Sequence, residues 1–409
     1  MQSSAKYIGQ QNFKAVTGTP WQASFDFEGA SLWSPRLEDA RARLSLVRPA
    51  AYARSRNYLD GAVTQLSPYL SRGVLSTRQV AESLVERGLS WEDCESLVKE
   101  LAWRDYFQQV WKHQGNGIDQ DLRQPQVGVC HHQVPAALVN TRTGITAVDA
   151  AVEELYRTGY MHNHVRMYTA ALACNVGGAH WLQAARWMYY HLLDGDWASN
   201  ALSWQWVAGA FSTRKYFANQ ENINKYCYTH QRGTFLDVGY DAFERMKVPE
   251  ALMETVLPEL SCELPEGPWI DAAKLREILQ EHPSKPVLMY HFYQLDPQWS
   301  PAGRDGDAIR VMLWEPEFLQ KYPVSRHVMA WVKALAEQIP GILWISAPFA
   351  EVFEANDTPR IHFKEHPTTI HYRGHCHPRE WLFSEVDGYY PSFSSYWKRC
   401  ESKARAMFA

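Results

Sequence analysis

Glu100, Trp103 and Arg104 stand at i, i+3 and i+4 in ELAWRDYF (100–107). A helix there carries a carboxylate, an indole and a guanidinium on one face. The plain alternative is a surface ion pair over a buried tryptophan. Asn163, Arg166 and Met167 repeat the spacing in TGYMHNHVRMY (158–168). In DGDWASNALSWQW (194–206), Asp194 and Asp196 flank a glycine, and Asn200, Trp204 and Trp206 follow. Two such aspartates could hold Mg²⁺ or Ca²⁺, or fix an arginine and a sugar hydroxyl. The further ligands of a calcium loop are missing, so the second use is the better reading. TQLSPYLSRGVLS (64–76) offers hydroxyls and backbone N–H groups ahead of a helix. Such a loop can cradle phosphate, although most are ordinary caps.

The elements needed to position these groups are mainly helical. PRLEDARARLSLV reads as a helix, and YARSRNYLDGAVTQLSPYLSRGVLS as a turn-rich loop. TRQVAESLVERG and WEDCESLVKELAWRDYFQQVWKH have apolar residues at helical spacing. AVDAAVEELYRTG, MHNHVRMYTAALACNVG and WLQAARWMYYHLLDGD follow the same pattern, and almost no strand alternation precedes residue 250. LPELSCELPEGP (257–268) reads as a linker. Beyond it, KPVLMYHFY, AIRVMLW and GILWIS read as buried strands around the amphipathic helix VSRHVMAWVKALAEQI. Strand, helix, strand in that order implies a parallel α/β sheet. The expected division is an all-α domain over 1–256, the linker, and a smaller α/β, Rossmann-like domain over 269–409.

The 409 residues are 46% hydrophobic and 13% aromatic, which excludes bulk disorder. No apolar run reaches the roughly 18 residues of a membrane helix, and the first residues lack the apolar core of a signal peptide. Seven cysteines, an odd number without any C-x-x-C, argue against a disulfide framework. A reducing, cytoplasmic setting is expected. The net charge of −4 does not announce a nucleic-acid binder, but it permits a local basic groove. Seven of the 17 tryptophans lie between 103 and 206: Trp103, Trp111, Trp181, Trp187, Trp197, Trp204 and Trp206. Beyond packing, they could serve as platforms for a planar ligand or as electron relays.

The four segments, in this order over roughly residues 45–230, resemble the FAD-binding domain of the DNA photolyase/cryptochrome family. The resemblance implies a bent FAD held inside the helical domain. Tyr52, Thr64, Gln65, Leu66, Ser67 and Arg104 would line the diphosphate. Tyr160, Asn163 and Arg166 would lie beside the flavin, with Arg166 paired to Asp194. Asp196 would contact the ribityl or ring edge, and Asn200 would face flavin N5. Trp204 and, 23 residues earlier, Trp181 would form an electron relay; no tryptophan between Trp111 and Trp181 supplies its third member. Glu100, Trp103, Met167 and Trp206 would form a pocket for a cyclobutane pyrimidine dimer, with Arg214 and Lys215 on the DNA backbone.

The expected activity is therefore that of a deoxyribodipyrimidine photolyase, a light-driven repair enzyme. The alternative is a blue-light photoreceptor with FAD and no repair. UV-damaged DNA is the expected partner, single strands being favoured by the modest positive charge, and the protein is expected to act as a monomer.

Two departures stand out. His164 replaces an arginine that would touch DNA phosphate, so Arg72, Arg78 and Lys112 join Arg214 and Lys215 as candidates. His162 in the same motif reads as structural. The α/β-like region follows the helical one, whereas family members begin with such a domain; an inverted domain order is one explanation, and antenna-pigment binding is unsupported. Cys227 matches one cysteine of an iron–sulfur branch without the others, and CHH (130–132) and HCH (375–377) are weak zinc patterns. No metal is expected.

Overall fold

The computed structural model describes residues 33–301 and 308–409. Residues 1–32 of the expected helical domain lie outside the described residues.

The long helix Trp91–Gln114 forms the spine of the first region. Ser90 caps it, its hydroxyl accepting from the Asp93 N–H, and Glu92 and Asp93 suit the positive end of the helix dipole. Its middle, Leu101 to Trp111, is buried on nearly every side, so this is a core helix rather than a surface one. The helix Trp197–Ala208 packs against it, and the helices Asn163–Ala171 and Trp181–His191 pack on Trp197–Ala208 and on each other. Asp196 caps Trp197–Ala208, and Gly209 ends it at φ +84°. The stretch read as a turn-rich loop begins inside a helix, Pro49–Ser55, and contains a short one, Ser67–Ser71. Proline at the first helical position starts the former, because its fixed φ suits a helix and its missing N–H is not needed there. The strands β1 (Val134–Pro135) and β2 (Thr255–Val256) form a two-residue antiparallel pair.

After residue 268 the chain builds a parallel sheet. Its strands are β3 (Val287–Tyr290), β4 (Ile309–Leu313), β5 (Ile342–Ile345), β6 (Ile361–Lys364) and β7 (His375–His377). Their spatial order is β5-β4-β3-β6-β7, with every neighbouring pair parallel. All four residues of β3 are buried, as expected of a sheet covered on both faces. The molecule is thus a mostly helical region followed by a smaller parallel α/β region.

The end of the chain leaves the sheet. The C-terminal helix Phe393–Met407 packs on the long helix, with Tyr396 5.7 Å from Tyr106 and Phe408, just beyond it, 5.7 Å from Trp91. Asp105 ties the two regions together. Its carboxylate accepts from Thr77 Oγ1 at 2.9 Å and from the Leu382 N–H at 2.7 Å.

Candidate functional site

Arg166 anchors the centre of the site. Its Nη2 donates to both oxygens of Asp194, at 3.0 and 2.9 Å, and its Nε donates to the Met161 carbonyl at 2.8 Å. Burial pushes the Asp194 carboxyl up, but Arg166, the Ser67 hydroxyl and Arg104 outweigh it and hold the group below the usual carboxylate range. Thus Ser67, Arg104, Arg166 and Asp194, spread over more than a hundred positions, act on one point. Tyr160 lies under the Arg166 guanidinium at 5.6 Å. Thr64 Oγ1 accepts from the N–H of Leu66, which is buried. Between them Gln65 takes φ +52°, a left-handed conformation costly for a residue with a Cβ. The Gln65 carbonyl accepts from Trp33 Nε1 at 2.9 Å, and its Oε1 accepts from Arg43 at 2.6 Å. These partners hold the loop.

The side chains expected to hold a substrate form a second group. Glu100 pairs with Arg56, and both lie against Tyr52, whose hydroxyl is pushed up to about 12 by burial and by the Glu100 charge. Trp103, one turn along the helix, lies flat on Phe393 of the C-terminal helix, with centroids 3.9 Å apart and planes 11° apart. Met167 is half-buried beside Arg166 on the helix Asn163–Ala171, while Asn163 is exposed in its first turn. Trp206 is 36% exposed, with Tyr216 6.1 Å away.

Asp196 and Asn200 are already engaged with protein groups. Asp196 Oδ1 accepts from the Ser199 N–H at 2.7 Å and Oδ2 accepts from Gln108 Nε2, while Gln108 Oε1 accepts from Arg379 at 2.7 Å. Asn200 Nδ2 donates to the Ala185 carbonyl at 2.8 Å, so its Oδ1 is the end with acceptor capacity to offer. Trp204 is buried, and Trp181 is fully buried with Nε1 donating to Asp121 at 2.7 Å. Trp187 Nε1 donates to Tyr156, and Trp111 stands edge-on to Tyr293, Tyr322 and His366.

Three of the basic residues named for DNA contact are committed elsewhere. Arg72 is fully buried, donating to the Gly195 and Leu193 carbonyls beneath the Phe292 ring. Arg78 pairs with Glu82, and Lys112 with Glu365 and Asp387. Arg214 is exposed and Lys215 half-buried. His164 packs edge-on against Tyr168 and Tyr226, and burial and Arg56 push its imidazole down to about 4. It presents a neutral ring where an arginine was looked for. His162 caps its helix through Nδ1, and burial holds it neutral as well. Cys227 is buried, and among the described residues no three His, Cys, Asp or Glu side chains converge to hold a metal.

Several participants escaped the sequence reading. Arg56 had a local signal, four residues after Tyr52 and so on the same helix face. Gln108, Arg379 and Phe393 had none, because their partners are remote in sequence.

The comparisons with known proteins bear on the same region. Residues 97–237 match the FAD binding domain of DNA photolyase. This span carries Glu100, Trp103, Arg104, the Arg166–Asp194 pair and the helix from Trp197 to Ala208. A deoxyribodipyrimidine photo-lyase of Thermus thermophilus is 36% identical over 178 residues, covering 42% of this chain and 41% of that protein. A cryptochrome DASH from Natronomonas pharaonis is 32% identical over 185 residues, covering 43% and 39%. A cryptochrome structure from Synechocystis sp. aligns at 27% identity with a TM-score of 0.44, covering 50% of this chain and 46% of that one. The chain spans about two fifths of the length of the curated relatives it matches. The similarity is to the FAD-binding domain shared by photolyases and cryptochromes, and both kinds occur among the relatives.

Proposed function

We propose that this protein is a light-driven flavoprotein that splits cyclobutane pyrimidine dimers in DNA. The observation that supports the reading best is the adjacency of two groups: Glu100 and Trp103 on one helix face, and Arg104 next along it, acting on the Arg166–Asp194 pair.

The donor set suits FAD. Thr64 and Ser67 bring hydroxyls, and the half-exposed Arg104 guanidinium donates no hydrogen bond among the described residues, leaving its planar fork for phosphate oxygens. Tyr52, Gln65 and Leu66 would complete the diphosphate wall, and Tyr160, Asn163 and Arg166 would lie beside the flavin. Asn200 Oδ1 suits an N–H donor on a ring edge. When bound, FAD supplies the light-excited electron that ring splitting needs. The chain's own part is to hold the groups close and exclude water.

Trp103 and Trp206 clamp the apolar faces of the dimer, Met167 fills beside them, and Glu100, positioned by Arg56, takes the hydrogen-bonding edge. Damaged bases stack poorly, so extruding them costs only a few kcal/mol. Arg214 and Lys215 serve the DNA backbone, and single-stranded DNA is the preferred form. Trp204 and Trp181 relay electrons inward when the flavin must be reduced.

A second reading, a photoreceptor without repair, draws on the ring of Phe393 lying flat on Trp103. If that face is the substrate face, the chain itself covers it. Illumination with a dimer-bearing oligonucleotide under reducing conditions separates the two. Falling dimer content supports repair, whereas unchanged content with flavin confirmed by absorbance supports the photoreceptor.

A further inference from the structure

The sheet changes direction beside its central strand, β3. From β3 the chain builds β4 and β5 on one side, then returns to place β6 and β7 on the other. The loops leaving the carboxyl ends of β3 and β6 therefore part, which opens a crevice at the point where open α/β sheets receive ligands. His291 begins one loop, and Glu365 and His366 the other. The helical region roofs the crevice with residues 70–79 and Arg104, leaving a cavity of about 40 Å³. That is room for roughly two or three waters or one small anion. Gly73 makes the close roof possible. It takes φ +65°, and a Cβ there would meet the Tyr293 carbonyl oxygen at 2.6 Å and Gln294 Oε1 at 2.8 Å.

The two buried side-chain nitrogens of the lining that lack a partner among the described residues are both donors. His291 is 5% exposed, and the Tyr293 N–H donates to its Nδ1 at 3.3 Å, so the ring proton sits on Nε2. Among the described residues that Nε2 has no partner, and neither has Nε2 of Gln294, also 5% exposed. Burial and the Arg379 charge keep the His291 imidazole neutral, a donor without charge of its own. Arg104, on the helical roof, is a third donor without a hydrogen-bond partner among the described residues. The carboxylates have partners of their own: Glu380 pairs with Lys364, Glu365 with Lys112 and Trp381 Nε1, and Asp296 accepts the Gln298 N–H through Oδ1. Buried donors without acceptors are costly, and a bound acceptor removes that cost.

We propose that this crevice binds a phosphate group, held by His291 Nε2–H, the Gln294 side-chain amide and the Arg104 guanidinium. A tetrahedral oxyanion presents acceptors to several converging donors at once, as this lining requires. The group has two sources of the same chemistry: free phosphate or a small phosphate ester, and the diphosphate of a dinucleotide reaching past Arg104. The second source rests on the flavoprotein reading above; the first does not.

Calorimetric titration of inorganic phosphate into the full chain, against sodium chloride at equal ionic strength, tests the site. Saturable binding is expected, weakened at least roughly tenfold by His291→Phe and by Gln294→Glu, which places a negative charge against the anion. Circular dichroism checks the fold, and either variant suffices if the other does not fold. No saturable binding up to ~10 mM, an affinity weaker than about 3 kcal/mol, overturns the proposal, as does equal affinity in a folded variant. Displacement of phosphate by FAD identifies the dinucleotide as the source, and undisturbed binding identifies a separate ligand; both keep the site. A chain that takes up phosphate but no FAD refutes the flavoprotein reading and leaves the crevice standing.

Discussion

Removing Phe393 tests which face of Trp103 is open to the substrate that the proposed function assigns to it. The two rings are nearly parallel at 3.9 Å between centroids, and Phe393 opens the C-terminal helix with Ser392 as its cap. An aromatic pair of this kind contributes about 0.5–1.5 kcal/mol beyond its buried area. On the repair reading Phe393 backs the indole from behind, and Phe393→Ala leaves the clamp ring free to rotate. Losing that share of the clamp corresponds to a roughly 2- to 13-fold weaker affinity for dimer-bearing oligonucleotide. Phe393 is half-buried, so truncation also costs stability, below the roughly 3–5 kcal/mol of a fully buried phenylalanine. Fluorescence anisotropy with damaged and undamaged strands reads the affinity, and thermal unfolding reads the stability. Tighter binding of damaged DNA by the folded variant refutes this reasoning, because Phe393 would then occupy the substrate face.

On the repair reading, Glu100→Ala takes away the carboxyl that meets the dimer's edge and leaves Arg56 without its counter-charge; repair per photon should fall while flavin absorbance per chain stays unchanged. Trp204→Phe should block photoreduction of the flavin yet spare repair once the flavin is reduced chemically, as followed by absorbance and dimer content. Asp194→Asn should cost less than the roughly 3–5 kcal/mol of a fully buried pair, because Arg166, left without its counter-charge, is only partly buried, and should lower flavin content. The same pair gives a pH signature. The Asp194 pKa is depressed in the folded state, so its stabilisation is present above about pH 4 and lost as pH falls through the folded value. Asp194→Asn should therefore flatten the acid limb of the unfolding profile below about pH 4, and an unchanged limb would place the acid sensitivity elsewhere.

The one-sided placement of Glu100, Trp103 and Arg104 was legible in the sequence, whereas the caps at Ser90 and Asp196 and the stop at Gly209 emerged with the structure. The strand-like runs became β3, β4 and β5, and their order with the helix between β4 and β5 implied a parallel sheet. These features depend on neighbours within a few residues, where helical and strand periodicities act directly. The partners of the site were not legible. Arg379 reaches Gln108 and through it Asp196, Leu382 meets Asp105, and Phe393 covers Trp103, each pair separated by more than 250 positions at its widest. Such pairs form only when two regions with separate local patterns close on each other, and nothing in either pattern specifies the meeting. Sequence determined which residues share a helix face and so which chemistry is at hand. Tertiary structure decided which of them are spent, as Asp196, Arg72 and Lys112 are, and which keep unfilled hydrogen-bonding capacity, as Arg104, His291 and Gln294 do. The physical reason is that burial makes an unpaired polar group costly, so its state is set by whatever the fold brings against it.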